Sequence, residues 1–168
     1  ARWLQLDAAW SAKVRVAEKP GLLRALAAVL ARSGDSWFWG LLLGAAWFWG
    51  NTEWKQRAAV AAYAILGTAA LVLIIKFIVR RRRPEGNWGK DYRFTDPHSF
   101  PSGHAARGIL MAVLGLFFGP AWLSALLLLW GPLIALARVA MGVHYLSDVA
   151  AGAAIGGAIG LGIGLIAL

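Results

Sequence analysis

Residues 58–84 read AAVAAYAILGTAALVLIIKFIVRRRRP. Between Ala58 and Val79 only Lys76 is charged, and the run meets the roughly 20 apolar residues that a helix needs to cross a bilayer. It ends on Arg80, Arg81, Arg82, Arg83 and then Pro84, where the residue before a proline is steered out of helical backbone. An apolar run closed by guanidinium groups predicts a transmembrane helix anchored at the head groups. Composition agrees: 60% of the 168 residues are hydrophobic and 15% are charged, whereas soluble domains carry about a quarter charged residues.

Downstream of this run, residues Pro84 to Pro101 change to loop composition. Three apolar segments follow, Gly103 to Gly119, Ala121 to Ala140 and His144 to Leu168, parted by Gly119-Pro120 and by Met141-Gly142-Val143. Gly152, Gly156, Gly160 and Gly164 recur every four residues in the last one, a stripe that lets helices approach closely in lipid. Upstream, Ser36 to Gly50 is short for a span, but Trp37 and Trp39 at one end and Trp47, Trp49 and Trp54 at the other resemble aromatic belts. Asn51 to Arg57 reads as a polar turn.

Residues 1–19 place Trp3, Leu6, Trp10, Val14 and Ala17 at helical spacing among charged residues. Such a helix lies along a membrane surface or packs on a protein core. Pro20-Gly21 interrupts it, Leu22 to Arg32 forms a second short amphipathic helix, and Ser33-Gly34-Asp35-Ser36 supplies a stop and a new cap. Arg2, Gln5 and Asp7 are followed by no continuous apolar run, so the start does not resemble a secretory signal. The expected fold is all-α: a polytopic membrane helix bundle with about five spanning helices preceded by two amphipathic interfacial helices. Residues 1–168 form one domain, with 1–35 at the surface and 36–168 carrying the site.

The formal net charge is +9 and there are no cysteines, so disulfides and thiolate metal sites are excluded. The positive charge flanks apolar segments, which argues for anionic lipid head groups or phosphate substrates as partners rather than nucleic acid. No internal repeat is visible.

A few polar residues stand at the ends of the apolar segments. Lys76 and Arg83 are seven apart and share a face if the helix persists. Pro101-Ser102-Gly103-His104 opens the next segment: Ser102 is a natural N-cap, and the helix N-terminus behind it attracts phosphate. Gly103 has no side chain to keep a phosphate oxygen from the backbone, and His104 stands in the first turn beside that anion. His144 and Asp148 are four apart, so the carboxylate can hold one imidazole nitrogen and leave the other as base or nucleophile. Arg138 supplies a forked donor for phosphate oxygens. Only Asp148 among the acidic residues falls within this constellation, which fits a two-metal mechanism poorly. His98 reads as a loop residue, and Arg80 to Arg82 as a head-group anchor.

In order and spacing these blocks resemble the type 2 phosphatidic acid phosphatase superfamily of membrane lipid phosphatases, over roughly Ser36 to Leu168. The matching residues are Lys76 with Arg83-Pro84, Pro101 to His104, and Arg138 with His144 and Asp148. Ala137 departs from the pattern, which usually has serine before the arginine; members also commonly have six spans. The resemblance implies a metal-independent phosphomonoesterase without cofactor. In it, His144 attacks phosphorus, Asp148 orients His144, and His104 protonates the leaving oxygen and later activates water. Lys76, Arg83, Ser102, Gly103 and Arg138 hold the phosphate. The implied substrate is a lipid phosphate: phosphatidic acid, phosphatidylglycerol phosphate, or a polyprenyl phosphate or diphosphate. Vanadium haloperoxidases belong to the same superfamily but are soluble. The competing class is a lipid-phosphate binder or small transporter using the same basic pocket.

The expected location is the cell membrane of a bacterium or archaeon. Alternating spans leave Lys55 and Arg57 as the only Lys or Arg on the side away from the site. The positive-inside rule then favours a cytoplasmic site.

Overall fold

The computed structural model describes residues 2–86 and 96–167; the loop reading of residues 87–95 lies outside them. Among the described residues there are seven helices: α1 (Arg2–Val14), α2 (Leu22–Arg32), α3 (Ser36–Trp49), α4 (Thr52–Val79), α5 (Gly103–Phe118), α6 (Ala121–Ala140) and α7 (Leu146–Ile166). The one β feature among them is an isolated antiparallel bridge between Arg82 and His98. The chain is an all-α membrane helix bundle, as its apolar segments predict. Helices α4, α6 and α7 are long and apolar enough to cross a bilayer, whereas α5 is apolar but shorter. At 14 residues, α3 reaches only about 21 Å, so a count of five spans includes two short helices.

Helix α5 is the centre of the bundle and packs most extensively on α7 and α6. Glycine makes both approaches possible. A Cβ on Gly156 would stand 2.0 Å from the Ala106 carbonyl oxygen, and one on Gly131 would stand 2.5 Å from that of Gly108. The whole stripe Gly152, Gly156, Gly160 and Gly164 is buried. The apolar core runs from Trp39 and Ile65 through Leu110 and Leu114 to Ile134. Large side chains such as Leu73, Ile78, Leu129 and Ile166 point outward, an arrangement suited to lipid.

Several boundaries differ from the sequence expectation. The polar turn at Asn51 to Arg57 is the start of α4, because the Asn51 side chain accepts from the Trp54 N–H at 3.0 Å and caps the helix. Helix α4 stops at Val79 rather than at Pro84, because Arg80 adopts a left-handed conformation with φ 51°. The last helix begins at Leu146, so His144 precedes it instead of lying on it. Gly142, at φ 68°, turns the chain there.

The amphipathic stripe of residues 1–19 does not continue as one helix. Helix α1 ends at Val14, and Ala17 is buried in a separate cluster with Ala27, Ala31, Ala137, Met141 and Val143. Trp3, Leu4 and Trp10 face outward while Asp7 and Ser11 face the bundle. Helix α2 likewise buries Ala27 and Ala31 and exposes Leu22, Leu23, Leu26 and Val29.

Candidate active site

Lys76 lies one turn before the end of α4 and is buried. The left-handed Arg80, whose N–H bonds the Lys76 carbonyl at 2.9 Å, turns the chain away from the helix axis. Lys76 and Arg83 therefore do not share a helical face; Arg83 enters the site from the linker. Its Nη1 donates to the Val143 carbonyl at 2.9 Å and lies 3.1 Å from His144 Nε2. Its Nε and Nη2 donate to the Asp96 carbonyl oxygen and Oδ2 at 2.7 and 2.8 Å. Lys76 Nζ also donates to Asp96 Oδ2, and to the His98 carbonyl at 2.9 Å. The carboxylate of Asp96 thus occupies the point where two buried cations converge.

Ser102 caps α5 as expected: its Oγ accepts from the Ala105 N–H at 3.4 Å, and the residue is fully buried. Its own N–H donates to the Asp148 carbonyl at 2.9 Å, which locks the start of α5 against the first turn of α7. Above Gly103, a Cβ would meet Arg107 Nη1 at 3.4 Å and Val72 at 3.6 Å. Its absence leaves that space to the cavity. His104 Nε2 lies 2.7 Å from Asp35 Oδ1, at the cap of α3. Burial raises the Asp35 pKa, but the bonds to His104 and to the Trp37 indole outweigh it and hold the carboxyl below its ordinary value. Beside them Gly34 lets α3 sit close, since a Cβ there would be 2.9 Å from His104 Cδ2. The Gly34 carbonyl accepts twice from Arg107, at 3.2 and 3.1 Å.

Arg138, in the last turn of α6, His144 and Asp148 are all buried. His144 Nδ1 stands 3.5 Å from Asp148 Oδ2, although His144 is outside the helix that carries Asp148. That oxygen accepts a hydrogen bond from the Tyr145 N–H at 2.9 Å. Burial pushes the His144 imidazole well below its ordinary pKa, and the charges of Arg83, Arg138 and Lys76 push it further.

The residues named from the sequence thus gather at one end of α4, α5, α6 and α7. Of these, Lys76, Gly103, His104 and His144 line a cavity of about 330 Å³, with Asp96, His98 and Arg107 completing its polar end; Arg83, Ser102, Arg138 and Asp148 are buried outside that lining. Ala69, Val72, Leu73 and Phe77 of α4 form an apolar wall. Such a cavity is shaped to receive an anion at the polar end and an alkyl chain along the wall.

Four residues of this neighbourhood escaped the sequence reading. Asp148 is not the sole carboxylate: Asp35 and Asp96 join it, each engaged by its own imidazole or cations. Among the described residues no three His, Asp or Glu group as metal ligands. Arg107 lines the cavity one turn after Gly103, and that one-turn spacing was the available signal. Arg81 is no head-group anchor. It bonds Asp7, Ser147 and Asp148 and stacks over the Tyr145 ring at 3.9 Å. Nothing local in the arginine run distinguishes it.

Comparison with known proteins follows the same geometry. The family model described as PAP2 superfamily matches residues 57–166. A decaprenylphosphoryl-5-phosphoribose phosphatase of Mycobacterium tuberculosis is 36% identical over 148 residues, covering 85% of this chain and 79% of that protein. Its counterpart in Mycolicibacterium smegmatis is 35% identical over 142 residues, covering 82% and 74%. The crystal structure of Aquifex aeolicus LpxE superposes with a TM-score of 0.72 at 26% identity, covering 91% of this chain and 92% of that one. A transmembrane PAP2-type phosphatidylglycerolphosphate phosphatase from Bacillus subtilis shares the fold, with a TM-score of 0.77 at 19% identity and coverage of 99% and 86%.

Proposed function

The chain belongs to the PAP2 superfamily, and from that membership we propose a metal-independent lipid phosphatase that works through a phosphohistidine. The observation that carries this reading is the His144 ring, with Asp148 on Nδ1 and the Arg83 guanidinium on Nε2, at the edge of a cationic cavity with an apolar wall.

His144 Nε2 attacks phosphorus, and the bond from phosphorus to the ester oxygen breaks. His104 gives its proton to that oxygen, and the lipid alcohol leaves. The Cδ2–Nε2 edge of His104 lies on Gly34 and Asp35, so Nδ1 is the atom that transfers the proton. A water then loses its proton to His104 and attacks phosphorus. The phosphorus–nitrogen bond breaks, inorganic phosphate departs, and both histidines return to their starting states. Lys76, Arg83, Arg138 and the Gly103 N–H neutralise charge on the non-bridging oxygens as it develops, and Ser102 holds the helix end that presents that N–H. The phosphate displaces Asp96 from Lys76 and Arg83.

The substrate is a phosphate monoester or diphosphate on a membrane lipid, its chain lying along Ala69, Val72, Leu73 and Phe77. The mycobacterial relatives act, by name, on a decaprenylphosphoryl sugar phosphate, which favours the polyprenyl class over phosphatidic acid and phosphatidylglycerol phosphate. The site faces the cytoplasm, because among the described residues Lys55 and Arg57 are the only Lys or Arg at the opposite end. Labelling of Glu85→Cys, then the sole cysteine, by an impermeant reagent in intact cells would reverse that orientation.

The test is phosphate release in detergent from a panel of lipid phosphates, with EDTA and with vanadate. Release that survives EDTA and is blocked by vanadate, with His144→Ala and His104→Ala nearly inactive yet folded, is the expected result. No release from any lipid by folded protein overturns the reading in favour of a binder or transporter.

A further inference from the structure

Helix α7, which carries Asp148, begins with backbone N–H groups that its own sequence does not fully satisfy. Helix α1 satisfies them from the other end of the chain. Ser11 Oγ accepts from the Leu146 N–H at 2.9 Å, and Asp7 Oδ1 accepts from the Ser147 N–H at 3.2 Å. Asp7 Oδ2 accepts from the Ser147 hydroxyl. That oxygen also accepts from Arg81 Nη2 at 2.7 Å, and the same guanidinium donates through Nη1 to Asp148 Oδ1 at 2.7 Å. Ser11 is 2% exposed and Asp148 fully buried.

We propose that Asp7 and Arg81 are positioning residues of the phosphatase site. They form a relay from α1 to Asp148, and through it to His144. One oxygen of Asp148 is taken by Arg81, and the other serves the Tyr145 N–H and faces His144 Nδ1. Arg81 is therefore one of the groups that set the rotation of Asp148, together with the Tyr145 N–H and the Ser99 side chain. Arg81 follows the left-handed Arg80 in a linker and would be free to reach outward to head groups. Asp7 and the Tyr145 ring hold it inward instead. The outer face of α1, with Trp3, Leu4 and Trp10 exposed, suits the apolar edge of a membrane surface. One helix thus meets lipid on one side and caps α7 on the other.

The inference rests on the phosphatase reading for its kinetic test but not for its structural one. Arg81→Met is expected to lower kcat on the order of 100-fold, the scale of a small misplacement of a reacting group, with KM within about twofold. Arg81→Lys, which keeps the charge but has no fork to bridge two carboxylates, recovers part of that loss. Asp7→Asn lowers kcat about tenfold, and in the Arg81→Met background it adds nothing, as residues in one chain of contacts require. Proton NMR of the His144 Nδ1–H in detergent needs no turnover: a sharp signal in the wild type exchanges rapidly in Arg81→Met and Asp7→Asn. Unchanged kcat and an unchanged Nδ1–H in Arg81→Met overturn the relay. So do additive effects of Asp7→Asn and Arg81→Met, or a loss of kcat that only tracks a fall in thermal stability. Wild-type protein that releases no phosphate but shows the NMR change refutes the phosphatase reading and leaves the relay standing.

Discussion

Arg83 Nη1 lies 3.1 Å from His144 Nε2. A guanidinium has donors and no acceptor, so Nε2 accepts and the ring proton sits on Nδ1, the nitrogen that faces Asp148. The tautomer needed for attack by Nε2 is selected from both sides of the ring. In the proposed reaction Arg83, on the Nε2 side, is also one of the cations that hold phosphate, so one group would position both nucleophile and substrate.

That arrangement has a pH consequence. Burial and then Arg83, Arg138 and Lys76 hold the His144 pKa below its ordinary 6.5, so the neutral, attacking form persists below that pH. The acid limb of kcat/KM assigned to His144 is expected below pH 6.5. Arg83→Met removes a positive charge, raises the His144 pKa and moves that limb to higher pH. A pH–rate profile whose limb stays put, or moves down, refutes the assignment.

The Asp35 carboxylate, 2.7 Å from His104 Nε2, is placed to support the proton transfer proposed for His104. The Asp35→Asn protein is expected to form the phosphoenzyme about 100-fold more slowly on an alkyl phosphate. On an aryl phosphate, whose leaving oxygen needs little protonation, the deficit shrinks to a few-fold. Rapid-quench measurement on the two substrates checks this; equal deficits on both remove Asp35 from the proton step.

Asp96 accepts from Lys76 and Arg83, the cations proposed to hold the substrate phosphate. Asp96→Asn is expected to tighten vanadate inhibition by about tenfold, the equivalent of roughly 1.4 kcal/mol, because the displaced group no longer carries charge. Titration with vanadate measures it. Weaker inhibition means that Asp96 assists anion binding.

Within α7, two glycines make opposite predictions for one substitution. A Cβ on Gly156 meets backbone at 2.0 Å, whereas one on Gly162 meets nothing within 4 Å. Gly156→Ala is expected to destabilise by about 1–3 kcal/mol through overpacking. Gly162→Ala is expected to be neutral, or stabilising by up to about 1 kcal/mol from helix propensity. Thermal unfolding in detergent compares them, and equal midpoints contradict the close α5–α7 approach.

Much of this was legible in the chain. The apolar runs, the Ser102 cap and the glycine stripe are local patterns with direct physical meaning, and each is present in the fold. Lys76, Arg83, His104, Arg138, His144 and Asp148 sit at the ends of those runs, so placing the runs placed the residues. Ala137 is instructive in the other direction. Its departure from the usual serine costs no visible contact, because the side chain lies in the apolar cluster with Ala27, Ala31 and Met141.

By itself, the sequence determined that the chain is a membrane helix bundle, where most of its helices run, and that Lys76, Arg83, His104, Arg138 and His144 stand near the ends of its apolar runs. Hydrophobic periodicity and spacing suffice for that, because they act over a few turns. Only the tertiary structure decided that α4 ends at Arg80, that Asp35 meets His104 and Asp96 meets Lys76, and that Asp7 reaches Ser147 across the whole chain. Those contacts depend on how the helices pack against one another, and no local pattern of residues records a partner that far away.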